Sequence, residues 1–137
     1  MGVPQGGVLS PTLFNLYTSD LPSPPQNVSI TTCADDMNPS ASHANYRIAQ
    51  NNLQPYLDSI FNWTQKNDLI LNPDKSTATL FTQHQPEFNT TLNLTINNTI
   101  IPTVKNPKIL GLTFDLKLTF KDHANKTKER QTKILKS

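Results

Sequence analysis

Val28-Ser29-Ile30-Thr31-Thr32-Cys33-Ala34-Asp35-Asp36 decides the fold: an apolar β-type run enters a tight turn that carries two adjacent carboxylates. Neighbouring Asp side chains repel each other at neutral pH, and a divalent cation or a basic partner offsets that repulsion. Two carboxylates in one turn are hard oxygen donors of the kind Mg²⁺ takes. Alone, the pair reads first as an ordinary turn or helix entry.

What lies upstream changes the weight of that pair. Gly2-Val3-Pro4-Gln5-Gly6-Gly7-Val8-Leu9-Ser10-Pro11 is a glycine-rich loop running into a helix start, with Ser10 placed to cap and Pro11 at the first helical position. Taken singly, such a string is a flexible loop before a capped helix. From Pro11 to about Asp20 the residues Leu13, Phe14, Leu16 and Tyr17 fall at helical spacing, and the helix has to end before Pro22, Pro24 and Pro25.

The order of this loop, a helix and then a hairpin of apolar-Ala-Asp-Asp type resembles motifs B and C of reverse transcriptases. Leu69-Ile70-Leu71-Asn72-Pro73-Asp74-Lys75-Ser76 looks like the family's motif D, and Lys108-Ile109-Leu110-Gly111-Leu112-Thr113-Phe114-Asp115 looks like the strand pair that follows it. Residues 13–22 (LFNLYTSDLP) and the helix end from Trp63 to Lys66 look like the non-LTR, LINE-like retrotransposon branch.

The resemblance implies an α+β fold, a polymerase palm with a mainly antiparallel sheet and helices on one face. Residues 1–115 would be a partial palm carrying motifs B to D and the following strand pair. Residues 116–137 would be a basic helix that begins the thumb or a connection. The implied activity is RNA-directed DNA polymerisation, with Mg²⁺ or Mn²⁺ as cofactor and with an RNA template, a DNA primer and dNTPs as partners. Carried over position by position, Asp35 is a metal ligand and Asp36 a second acid in the same turn. Gln5 and Gly6 match the loop that contacts nucleotide and template, and Lys75 matches the lysine that protonates or stabilises pyrophosphate. Cys33 stands where the family has Tyr or Phe, and Gly7 where it has Ser.

Nucleotidyl transfer by two cations roughly 4 Å apart draws carboxylates from more than one segment. The family's other acid lies in motif A, and Asp20, Asp58, Asp68 and Asp74 sit in contexts unlike it. The expectation is therefore a piece of the polymerase without the fingers and motif A segment, inactive by itself. Two other readings stay open: a degenerate retrotransposon remnant, and a nucleic-acid-binding module working through its basic end.

The charge distribution bears on the last reading. The 137 residues have a formal net charge of +2, yet seven of the twelve Lys and Arg residues follow Asp115. Lys126, Lys128, Arg130 and Lys133 are the residues there best placed to meet a phosphate backbone, although a solvated helix face reads the same way. With one Cys and three His residues, an internal disulfide is excluded and a Cys/His zinc site disfavoured. No apolar run is long enough to span a bilayer and no secretory signal is recognisable. The expected location is thus intracellular, in cytoplasm or nucleus, without membrane partners.

Between and after the motifs the pattern predicts further elements. Pro39 should keep the strand after the acidic turn short or at an edge. Ile48, Ala49, Leu53, Tyr56, Leu57, Ile60, Phe61 and Thr64 trace one face of a helix over 45–67, with Pro55 either kinking it or lying in the first turn of a fresh helix from Asn52. Residues 77–81, 92–96 and 109–114 read as strands, with Asn97-Asn98 as a hairpin turn. A last helix from Thr119 or Phe120 to Leu135 carries the thin stripe Phe120, Ala124, Ile134 and Leu135.

Overall fold

The acidic stretch folds as the tip of a hairpin. In the computed structural model, which describes residues 7–33, 35–119 and 124–125, β1 (Val28–Cys33) pairs antiparallel with β2 (Asp36–Ala41). The register runs from Val28 opposite Ala41 to Cys33 opposite Asp36. Because side chains alternate across a strand, Val28, Ile30, Met37 and Ala41 share the inner face, where they pack with Tyr56, Ile60 and Leu53. The outer face is polar: the Ser29 and Ser40 hydroxyls meet at 3.0 Å, and Cys33 and Asp36 are exposed.

Pro39 stands opposite Ile30 in the middle of β2, and β2 is six residues long rather than short. Among the described residues the sheet has these two strands, so each has an edge on which a residue without an N–H is tolerated. The edge position is as the sequence predicts.

α1 (Ser10–Tyr17) precedes the hairpin, and the Tyr17 hydroxyl donates to the Asn67 carbonyl. α2 (Tyr46–Lys66) is the long element. Asn45 caps it, its side-chain oxygen accepting from the Arg47 N–H at 2.9 Å. The far end closes with Asp68 in the left-handed region (φ 53°) and the Leu69 N–H donating to the Thr64 carbonyl at 2.9 Å. That six-residue closure is a Schellman motif with Asp in the place Gly most often takes. Pro55 lies inside α2 and no fresh helix starts at Asn52. Pro55 is on the exposed side of α2, where solvent can reach the carbonyl of exposed Asn51, which the proline leaves without a helix donor. Tyr56, Leu57, Ile60, Trp63 and Thr64 are the buried face. Ile48, expected on that face, is 41% exposed, since it lies in the first turn, well before the buried stretch begins at Tyr56.

β3 (Thr95–Ile96) and β4 (Thr99–Ile100) form a two-residue hairpin in which Asn97 and Asn98 both take positive φ, 51° and 59°. This is the turn for which Asn is suited, since its short amide tolerates the left-handed region. Gln54 of α2 holds β3 with a doubled contact: its Nε2 donates to the Thr95 carbonyl at 3.0 Å and its Oε1 accepts from the Thr95 N–H at 2.9 Å. Leu94 and Ile96 are buried. Helix α1, the β1–β2 hairpin, α2 and residues 94–100 make the first of two units.

The second unit comprises residues 74–93 and those from 101 on. Its backbone is joined by a parallel bridge between Ala78 and Thr103, with Ala78 N–H donating to Pro102 O at 2.9 Å and Val104 N–H to Ala78 O at 2.8 Å. Among the described residues the strand expected over 77–81 reduces to that bridge. β5 (Lys108–Ile109) and β6 (Leu112–Thr113) are the strand pair read from the sequence, joined by Leu110 (φ 49°) and Gly111 (φ 81°). Phe81 and Phe114 meet edge to face at 6.2 Å. The described sheets are thus three separate two-stranded hairpins with helices, an α+β arrangement. The helix expected from Thr119 or Phe120 to Leu135 lies outside the described residues apart from Thr119, which is not helical, and Ala124 and Asn125, which are helical and exposed.

Candidate metal and nucleotide site

The acidic turn is positioned by packing on one side of the hairpin. Val28 and Ile30 on β1, with Met37 and Ala41 on β2, lie against Tyr56 and Ile60 of α2. That contact fixes the register, and the register leaves Asp35 between the paired residues Cys33 and Asp36. Asp35 and Asp36 are both exposed, so each keeps its carboxylate in water and available to a ligand. Asp36 lies on the outer face of the hairpin beside Cys33, opposite the face that α2 covers.

The chemistry of this donor set fits a hard divalent cation in part. Two carboxylates from one turn suit Mg²⁺ or Mn²⁺, which take oxygen ligands and keep several waters. Among the described residues no three His, Cys, Asp or Glu side chains gather to complete a cage. A cation held here would take its remaining ligands from water, from a nucleotide phosphate or from another segment.

The structure brings Asp35 and Asp36 together in the first unit, whereas Lys75 belongs to the second. Lys75 ends a single 3₁₀ turn, Pro73–Lys75, and is exposed. Gln5 and Gly6 lie outside the described residues, as do Lys126, Lys128, Arg130 and Lys133. Asp20, an acid without a role in the sequence reading, accepts the indole N–H of Trp63 at 3.0 Å and so serves the helix packing. The Gln54 clamp on Thr95 also escapes the sequence, since a glutamine on a polar helix flank carries no signal of a partner 41 residues away.

Residues 1–114 match the reverse transcriptase (RNA-dependent DNA polymerase) family. The chain is 33% identical over 136 residues to a probable RNA-directed DNA polymerase from transposon BS of Drosophila melanogaster, a match that covers 94% of this chain and 15% of that protein. It is 32% identical over 129 residues to the RNA-directed DNA polymerase from mobile element jockey of the same fly, covering 89% of the chain and 14% of the relative. The jockey polymerase of Drosophila funebris is 34% identical over 131 residues, with the same coverage. The chain thus spans about a seventh of the length of these curated relatives. No solved structure matches it. Among the described residues no helix is long and apolar enough to cross a membrane. The match over residues 1–114 and the ordered likeness to these mobile-element polymerases make the chain a member of the reverse transcriptase family, of the kind that non-LTR retrotransposons carry.

Proposed function

We propose that these residues form the acid-bearing part of the palm in a longer RNA-directed DNA polymerase, and that they do not polymerise by themselves. The observation that carries this reading is the exposed Asp35-Asp36 tip of the β1–β2 hairpin, within a segment that matches the family over residues 1–114. Residues 1–115 are the palm portion and residues 116–137 the start of a basic thumb or connecting helix. The whole enzyme would copy an RNA template by extending a DNA primer with dNTPs, in cytoplasm or nucleus.

In this reading Asp35 and Asp36 hold Mg²⁺ or Mn²⁺ together with a carboxylate from another segment. The chemistry such a bound cation would supply is activation of the primer hydroxyl and neutralisation of charge on the triphosphate. The chain's own part is to hold two carboxylates at a fixed tip, to present Gln5 and Gly6 to nucleotide and template, and to carry Lys75 as the proton donor for pyrophosphate.

The test replaces the matching segment of the jockey polymerase with residues 1–137 and measures primer extension on RNA. The chimera should extend the primer, Asp35→Ala should lower the rate at least about a hundredfold because metal-bound charge stabilisation is worth several kcal/mol, and residues 1–137 alone should show no incorporation. An Asp35→Ala chimera as fast as its parent would refute the assignment.

A further inference from the structure

The second unit has an open recess of about 300 Å³ whose lining includes Phe88, Lys105, Asp115, Leu116, Lys117 and Thr119. Its rim is built by local chemistry. The turn from Asp115 closes with the Leu118 N–H donating to the Asp115 carbonyl at 2.9 Å. The Asp115 carboxylate accepts from the Lys117 and Thr119 N–H groups at 3.0 Å each, and from the Thr119 hydroxyl at 2.9 Å. Both of its oxygens are therefore engaged within the turn, which lowers their repulsion toward an incoming anion.

The other wall carries an aromatic ring. Phe88 caps the 3₁₀ turn Gln85–Glu87, and the Glu87 carboxylate beside it accepts the Thr82 hydroxyl at 2.7 Å. The Lys117 ammonium stands 5.2 Å over the Phe88 ring centroid, and Lys105 donates to Asn89 Oδ1 at 2.5 Å. Two exposed ammonium groups thus flank a half-buried ring and the half-buried side chain of Leu116. A π-face with neighbouring cations is what a single-stranded nucleic acid uses, bases stacking on the ring and phosphates on the cations. The volume is at the low end of small-ligand sites, about one nucleotide unit. Residues 74–93 and 101–137 hold ten of the twelve Lys and Arg residues but only five of the ten acids, which favours a polyanion over a neutral ligand.

We propose that this recess binds one nucleotide of a single-stranded nucleic acid, with its base over Phe88 and Leu116 and its phosphates on Lys105 and Lys117. Lys117 leaves the ring face for the phosphate when the base arrives. The inference rests on the nucleic-acid-copying role proposed above, but its residues belong to the second unit and the acidic turn to the first.

The experiment uses the full 137-residue chain and a labelled twelve-nucleotide oligo(dT), with affinity measured by anisotropy between about 50 and 200 mM salt. Phe88→Ala should weaken binding about tenfold without changing the salt slope, and Phe88→Tyr should restore it. Lys105→Gln with Lys117→Gln should make the slope of log affinity against log salt shallower by about 1.4, two phosphates at roughly 0.7 each. Thr31→Ser, an exposed and uncharged position on the outer face of the first unit's hairpin, should leave both quantities unchanged. A Phe88→Ala protein that binds like its parent, a double lysine variant with an unaltered slope, or poly-glutamate competing as well as oligo(dT) would each overturn the proposal, the last in favour of an acidic polypeptide. If these effects appear while the polymerase chimera stays inactive, the recess stands and the polymerase role falls; an active chimera with none of these effects means the reverse.

Discussion

Replacing Gln54 should expose how much of the first unit depends on one side-chain amide. The amide copies a peptide unit: it accepts from the Thr95 N–H at 2.9 Å and donates to the Thr95 carbonyl at 3.0 Å, and it also donates to Asp58 Oδ1 at 2.8 Å. Each part-buried bond to the backbone is worth about 1 kcal/mol net, and the bond to exposed Asp58 contributes less. Gln54→Ala should therefore cost about 2–3 kcal/mol, including the penalty for Thr95 groups left without a partner. Gln54→Glu separates the donor from the acceptor. At pH 7 the introduced carboxylate keeps the bond from the Thr95 N–H but faces the Thr95 carbonyl and Asp58, so the loss should equal or exceed that of the alanine variant. Those neighbours raise the folded-state pKa of the introduced carboxyl above its unfolded value near 4.3. Stability should then recover as pH falls toward about 4, when the protonated acid again donates. Urea unfolding at 25 °C, followed through the emission of the lone tryptophan, buried Trp63, reads both variants. A Gln54→Ala loss below about 0.5 kcal/mol, or a Gln54→Glu deficit that ignores pH, would refute the clamp.

Pro55→Ala should stabilise the chain by about 1–3 kcal/mol, since Pro55 sits inside α2 and removes a helix hydrogen bond; the urea midpoint checks it, and an unchanged or lower midpoint would show that the helix is built around the proline. Leu110→Asn should raise stability by about 1 kcal/mol, because Leu110 takes φ 49° in a turn for which Asn-Gly is preferred, read as a shift in thermal midpoint. Burial raises the pKa of Tyr56, whose hydroxyl donates to the Pro22 carbonyl at 2.8 Å. Its contribution is complete below the unfolded value of 10.0 and is lost as pH rises from there through the higher folded value. Alkaline titration of the unfolding free energy should show this fall, and Tyr56→Phe should flatten it.

Much of the local structure was legible because it rests on short-range chemistry. The strand before the acidic turn, the Asn97-Asn98 hairpin and the helix ends at Asn45 and Asn67 follow from propensity, turn geometry and capping. The passage of α2 through Pro55 is one of the two courses the sequence allows, the other being a fresh helix from Asn52; the choice between them depends on the proline facing water while the opposite face packs. The strand expected over 77–81 is shorter in the structure for a related reason: Leu80 and Phe81 suit a strand, but among the described residues only Ala78 of this stretch forms a bridge to another segment. The two acids of the turn were legible as a pair, since they are adjacent in sequence. The recess at Phe88 was not, because its cations come from positions 105 and 117 and no periodicity links them to the ring.

The two-faced hairpin has a consequence for how such sequences can drift. Side chains on its outer face, among them Ser29, Thr31, Asn38 and Ser40, border water, so substitution there is cheap. A single inserted or deleted residue in β1 is another matter. It would turn Val28 and Ile30 outward, because the side-chain period is two, and it would move the acids off the tip in the same stroke. Mobile-element copies that have lost this turn should therefore carry length changes in β1 or β2 more often than their frequency elsewhere predicts, while point changes accumulate along the outer face without moving the acids.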